Sequence, residues 1–197
     1  GNIQDTQGNW NVAGVIRKID TNNNGVIWER IFDDVSGLKV IENQNGIIFA
    51  AGTQLPAPGT AYKFFIVALD QNGNELWRNY WDGDNPRPDN TSNFVNDIIL
   101  NPQGGATVIG QIVELIGNTN CTTAPNCWDF GLWSVNATGT TLWKIRQDFN
   151  RSPWDAAWGA IFDPQGNLVV VGSSVINNTG NDFTDNRDWT IAKFLIP

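Results

Sequence analysis

The chain has 197 residues, 41% of them hydrophobic, a size that suits one domain with a sizeable core built on ten Trp and ten Phe. A formal charge of −8 without any basic stripe disfavours nucleic-acid binding, most of whose affinity comes from neutralising phosphates, and disfavours adhesion to an anionic membrane on the same grounds. Histidine is absent, which removes the usual general base near neutral pH and the commonest metal ligand. No apolar run approaches eighteen residues and no positively charged leader is present, so neither a membrane-spanning helix nor a signal peptide is expected.

Residues 1–10 show no periodicity and read as a leading loop. Asn11 to Asp20 then reads as a strand, Asp20 to Gly25 as a turn, and Val26 to Phe32 as the partner strand. After Asp33-Asp34 come the strand GLKVIEN, the turn Gln44-Asn45-Gly46 and the strand IIFAAGTQ. In the stretch KFFIVALDQNGNELWRNYW (Lys63 to Trp81), Phe64 to Leu69 is apolar on both alternating faces, so this strand should be covered on both sides. Asn72-Gly73 predicts a two-residue hairpin, followed by a strand carrying Leu76 and Trp77.

Both elements recur. The hairpin returns at Val15 to Phe32 and at Gly131 to Phe149, and its first half returns at Asp188 to Ile196. The preceding strand pair, VNDIILNPQGGATVIGQIV at Val95 to Val113, matches WGAIFDPQGNLVVVGSSV at Trp158 to Val175. One period therefore holds four strands, a to d. Trp28, Trp77 and Trp143 mark it, 49 and then 66 residues apart. The added length falls in fixed places: the b–c connections (Leu55 to Tyr62, the loop with Cys121 and Cys127, Ile176 to Arg187) and the d–a connection Asp82 to Asn93. Insertions confined in this way are loops on a repeated scaffold. Asp20, Asp70 and Asn136 each open a turn and can accept backbone N–H bonds, while the three period-marking Trp residues should pack between neighbouring sheets.

Repeating four-stranded units of this length predict an all-β, β-propeller-like fold of four-stranded antiparallel blades. The blades fall at 34–81 and 94–149, with partial blades at 10–32 and 156–196, all in a single segment. That is about three blades, an incomplete ring, because closed propellers have about four to eight. The hairpins ALDQNGNELW and SVNATGTTLW, with QGNLVVVGSS, resemble bacterial β-propeller repeats of secreted and cell-surface proteins. They are also similar to pyrroloquinoline-quinone-type propeller repeats, through Ala68, Asp70, Gly73 and Trp77, and loosely to the Asp-box turn of sialidases. The resemblance implies an extracellular, cell-surface or periplasmic location.

Cys121 and Cys127 share one polar loop. They are expected to form a disulfide, the other reading being a pair of free thiols. Asp20 to Gly25 opens like a calcium loop, but Ile31 stands where the bidentate Glu should fall, so a helix–loop–helix calcium site is excluded. No cofactor is required by any motif. Calcium is the candidate ion, at Asp82, Asp84 and Asp89 or at Asp182, Asp185 and Asp188, each set three carboxylates in a short loop. Trp81, Trp128 and Trp154 lie beside loops rich in Asn and Asp, the composition of sugar-stacking sites, whereas Trp158 at the start of strand a is expected in the core. The leading expectation is a non-enzymatic extracellular module that binds a protein or glycan, its partners being other subunits or the remaining blades of a larger propeller. An enzyme of the sialidase or quinoprotein kind and a purely structural subunit are the alternatives.

Overall fold

The computed structural model describes residues 2–4, 10–55, 62–83, 93–113, 128–149, 154–175 and 187–196. These form fourteen strands and no helix: β1 (Asn2–Gln4), β2 (Trp10–Asp20), β3 (Gly25–Asp33), β4 (Val35–Glu42), β5 (Ile48–Gln54), β6 (Lys63–Leu69), β7 (Glu75–Trp81), β8 (Phe94–Leu100), β9 (Ala106–Ile112), β10 (Asp129–Val135), β11 (Thr141–Gln147), β12 (Asp155–Phe162), β13 (Leu168–Val175) and β14 (Arg187–Phe194). They make four antiparallel meanders: sheet 1 (β1–β3), sheet 2 (β4–β7), sheet 3 (β8–β11) and sheet 4 (β12–β14). β1 pairs with β2 in the stretch expected to be a loop; three residues are too few to show a period.

The sheets pack in chain order through three apolar layers. Ile16 and Phe32 of sheet 1 meet Phe65, Val67 and Leu69 of sheet 2. The alternate residues of β6, Phe64, Ile66 and Ala68, face Val108, Trp133 and Val135 of sheet 3. Phe130 and Leu132, on the opposite face of β10, meet Leu168 and Val170 of sheet 4. A central strand covered on both faces has no polar side to present, which is why β6 is apolar at every position.

The turns recur in structure as well as in sequence. Oδ1 of Asp70 accepts the N–H groups of Asn72 and Asn74, both at 2.8 Å, and Oδ1 of Asn136 does the same for Thr138 and Thr140 at 3.0 and 2.9 Å. Asn43, Asn101 and Asp163 repeat the device in the a–b turns. The two-residue hairpin expected at Asn72-Gly73 is not what forms. Gly73 alone is left-handed, its N–H donates to Asp70 O at 3.0 Å, and the strand register slips between Ala68 and Leu69. The Asp70 side chain organises a longer turn with a bulge, and this geometry prevails over the Asn-Gly dipeptide's own preference.

Neighbouring sheets are tied by one repeated contact. The Trp28 indole donates to Gln71 O and the Trp77 indole to Ala137 O, both at 2.9 Å, each reaching the c–d turn of the next sheet. Asn79 donates alongside to Gly139 O at 2.6 Å, and Asn43 Nδ2 crosses to Gly104 O at 2.7 Å. The hairpin turns therefore gather at one end of the stack, and the long b–c and d–a connections leave from the other.

Candidate functional site

At the loop-bearing end, the starts of β10 and β12 come together. Trp128 and Trp154 form an isolated parallel bridge, Asp155 N–H donates to Trp128 O at 2.6 Å, and the two indoles tilt against each other with ring centroids 5.0 Å apart. Both rings are half-buried. Each is followed by an aspartate. Asp129, Asp148 and Asp155 each place a carboxylate oxygen within 4.8 Å of the others. Asp129 and Asp155 are buried, at 1% and 0% exposure.

Arg146 Nε donates to Asp129 Oδ2, and Phe149 N–H donates to Asp155 Oδ2 at 2.7 Å. Burial pushes the Asp129 carboxyl up to about 7; Arg146 pulls it down, and the neighbouring charges of Asp148 and Asp155 add to the rise. The cluster is thus an oxygen-rich, acidic centre able to hold a proton or a cation.

The structure brings Trp128 and Trp154 together and separates Trp81 from them. Trp81 is core: it lies opposite Phe64 on β6, packs edge-on against that ring at 5.5 Å and against Trp133 at 6.2 Å, and is 3% exposed. Its expected role in ligand binding is corrected accordingly, since neither ring face is open. Trp158 is corrected in the other direction. It sits at the bulge between Ala157 and Gly159, where an unpaired residue projects outward, and its indole donates to Ser173 Oγ at 3.1 Å on an exposed face. Asp82 is engaged by Lys63 at 3.1 Å, so its charge is already paired. Asp188 is exposed on β14, opposite Ser174. Asp84, Asp89, Asp182, Asp185, Cys121 and Cys127 lie outside the described residues.

Sequence reasoning missed Asp129, Asp148 and Asp155. The available signal was the dipeptide Trp-Asp, which occurs at Trp128-Asp129 and Trp154-Asp155, each time where a connection gives way to a strand. No protein-family model and no curated protein sequence matches the chain. The functional reading therefore rests on this geometry.

Proposed function

We propose that the chain is a segment of a β-propeller module, non-enzymatic and extracellular, that binds a glycan or a protein surface at its loop-bearing end. The observation that carries the binding role is the Trp128–Trp154 pair, two half-buried indoles in contact beside buried carboxylates, at the end from which every variable connection leaves. Apolar ring faces flanked by polar groups suit a sugar ring or an aromatic-rich peptide. Calcium is the cation that belongs to this reading, because the donor set is carboxylate oxygen without histidine. The expected disulfide at Cys121 and Cys127 belongs to the same extracellular reading.

The propeller architecture is supported by the faces left open at the two ends of the stack. Strand register aligns Trp189 and Ile191 of β14 with Phe64 and Ile66 of β6, which pack on the following sheet. It likewise aligns Val15, Arg17 and Ile19 of β2 with Phe65, Val67 and Leu69, which pack on the preceding one. The partners that fit both faces are further sheets of the same repeat, in the same protein or in a neighbouring subunit. Screening the protein against glycans and candidate protein ligands, with Trp128→Ala and Trp154→Ala as controls, tests the binding role. Saturable binding weakened about tenfold or more by either change, with the β-sheet circular dichroism retained, is the expected result. Binding indifferent to both changes sinks it.

A further inference from the structure

In sheets 2 and 3 the third strand of the repeat is flanked on both sides: β6 from Phe64 to Leu69 by β5 and β7, and β10 from Phe130 to Val135 by β9 and β11. β2 holds the same place in sheet 1, since Lys18 lies opposite Trp28 as Ala68 lies opposite Trp77. One side of β2 is covered by β3, but on the other side β1 reaches only Trp10 to Val12. From Val15 to Ile19 that second edge has no partner strand among the described residues. A bare edge offers its N–H and C=O groups to another extended chain.

A cavity of about 150 Å³ opens beside this edge, lined by Ile16, Lys18, Trp28, Val40, Ile48 and Gln71 among others. One junction later the corresponding place is full. Phe49 of β5 lies opposite Ala68, packs on the Trp77 indole with ring centroids 5.9 Å apart, and shares a cluster with Ile66, Ile98 and Ala106. Counted back from the turn glycines Gly46 and Gly104, Val40 is the counterpart of Ile98 and Ile48 that of Ala106. Ile98 is 3% exposed and Val40 49%: no side chain of the described residues stands over Val40 as Phe49 stands over Ile98. Lys18 Nζ is drawn away to Gln71 O and Oε1 at 3.3 and 2.8 Å, and Gln71 Nε2 donates on to Glu42 Oε1 at 3.0 Å. The polar groups are thus occupied with one another, and what the cavity offers a ligand is apolar: Ile16, Val40, Ile48 and the Trp28 ring.

We propose that β2 takes up an extended peptide strand from a partner polypeptide, antiparallel and paired along Val15 to Ile19, whose aromatic side chain, opposite Lys18, fills the cavity against Trp28. The chemistry of the occupant is read from the next junction, where the strand in this place is IFAAGTQ (Ile48–Gln54), apolar with Phe49 as its one aromatic. In strand addition the main-chain bonds supply affinity and the pocket selects the side chain. The site lies between sheets 1 and 2 and is independent of the Trp128–Trp154 pair.

A fluorescently labelled peptide copying Ile47 to Gln54, with neutral polar tails for solubility, is titrated with the full chain and followed by anisotropy. Saturable binding is expected, weakened at least about tenfold by Phe49→Ala in the peptide. Methylating one alternate set of peptide nitrogens should abolish binding and methylating the other set should not, because an added strand pairs along one edge only. In the protein, Val40→Glu places a charge in the cavity at a half-exposed position; it should weaken the peptide about tenfold or more with the β-sheet circular dichroism retained. Ile191→Glu, on the open face of sheet 4, should leave peptide binding unchanged. Absence of saturable binding, binding indifferent to Phe49→Ala or to Val40→Glu, or equal effects of the two methylated sets overturns the proposal. So does failure of the peptide together with a Val40→Glu chain that self-associates less, which would make a second copy the occupant. Peptide binding without any glycan or protein capture at Trp128 upholds the strand site and overturns the loop-end binding role; capture at Trp128 without peptide binding does the reverse.

Discussion

Gly73 has a φ of +76° and lies directly beneath the Trp28 indole, where an added Cβ would come within 2.7 Å of Cδ2. An L-residue in left-handed backbone costs roughly 1–2 kcal/mol before any clash is counted. Gly73→Ala should therefore lose about 2 kcal/mol or more in urea unfolding, with a change in indole fluorescence as Trp28 is displaced. Asp163 gives a pH-dependent prediction. Its bond to Lys193, at 2.6 Å, is the largest cause of a carboxyl lowered to about 2 from its ordinary 3.8, with Asn167 and Gln165 contributing. The folded value lies below the unfolded one, so the stabilisation is complete above about pH 4 and is lost as pH falls toward 2. Asp163→Asn keeps the acceptor for Gln165 and Asn167 but loses the ion pair. Its thermal midpoint should fall less steeply across that window than the wild type's, and parallel curves would refute the assignment.

At the level of the strand pair, the first two junctions are each fastened by a d-strand tryptophan that both packs and donates. The two contributions separate by substitution. Trp77→Phe keeps a ring against Phe49 but removes the donor to Ala137 O, and should cost about 1 kcal/mol. Trp77→Ala removes the packing too and should cost about 3 kcal/mol. Denaturant midpoints of the two variants check the difference, and equal losses would mean that the hydrogen bond does the fastening. The element scale was the most legible in the sequence. Asx turns, glycines after them and tryptophans at a fixed distance are local patterns, and the alternation of Phe64 to Leu69 reports burial on both faces. The turn type is not legible from the Asn72-Gly73 dipeptide, because the Asp70 side chain captures two N–H groups and sets a longer turn.

For the molecule as a whole, the faces at the ends of the stack decide behaviour in solution. Trp189, Ile191 and Leu195 are 79%, 76% and 80% exposed on sheet 4, and Val26, Ile27 and Ile31 are more than half exposed, or nearly so, on sheet 1. Contiguous apolar surface of this kind marks an interaction surface. The 197-residue chain should therefore self-associate when alone, and light scattering should give a mass above that of one chain. Ile191→Glu, which puts a charge on the open face without touching the junction with sheet 3, should lower that mass. A monodisperse monomer in the wild type would remove the reading of these faces as packing surfaces.

The sequence by itself determined the strand order, the repeat, the places where turns fall and which residues line both faces of the central strands. These follow from short-range periodicity and turn chemistry, which neighbouring residues dictate. Only the tertiary structure decided the site. Asp129, Asp148 and Asp155 belong to separate strand ends and meet because β10, β11 and β12 begin or finish at the same end of adjoining sheets. The same three-dimensional packing buried Trp81 and exposed Trp158, since a tryptophan's neighbours across a sheet or at a bulge are set by register and not by its neighbours in the chain.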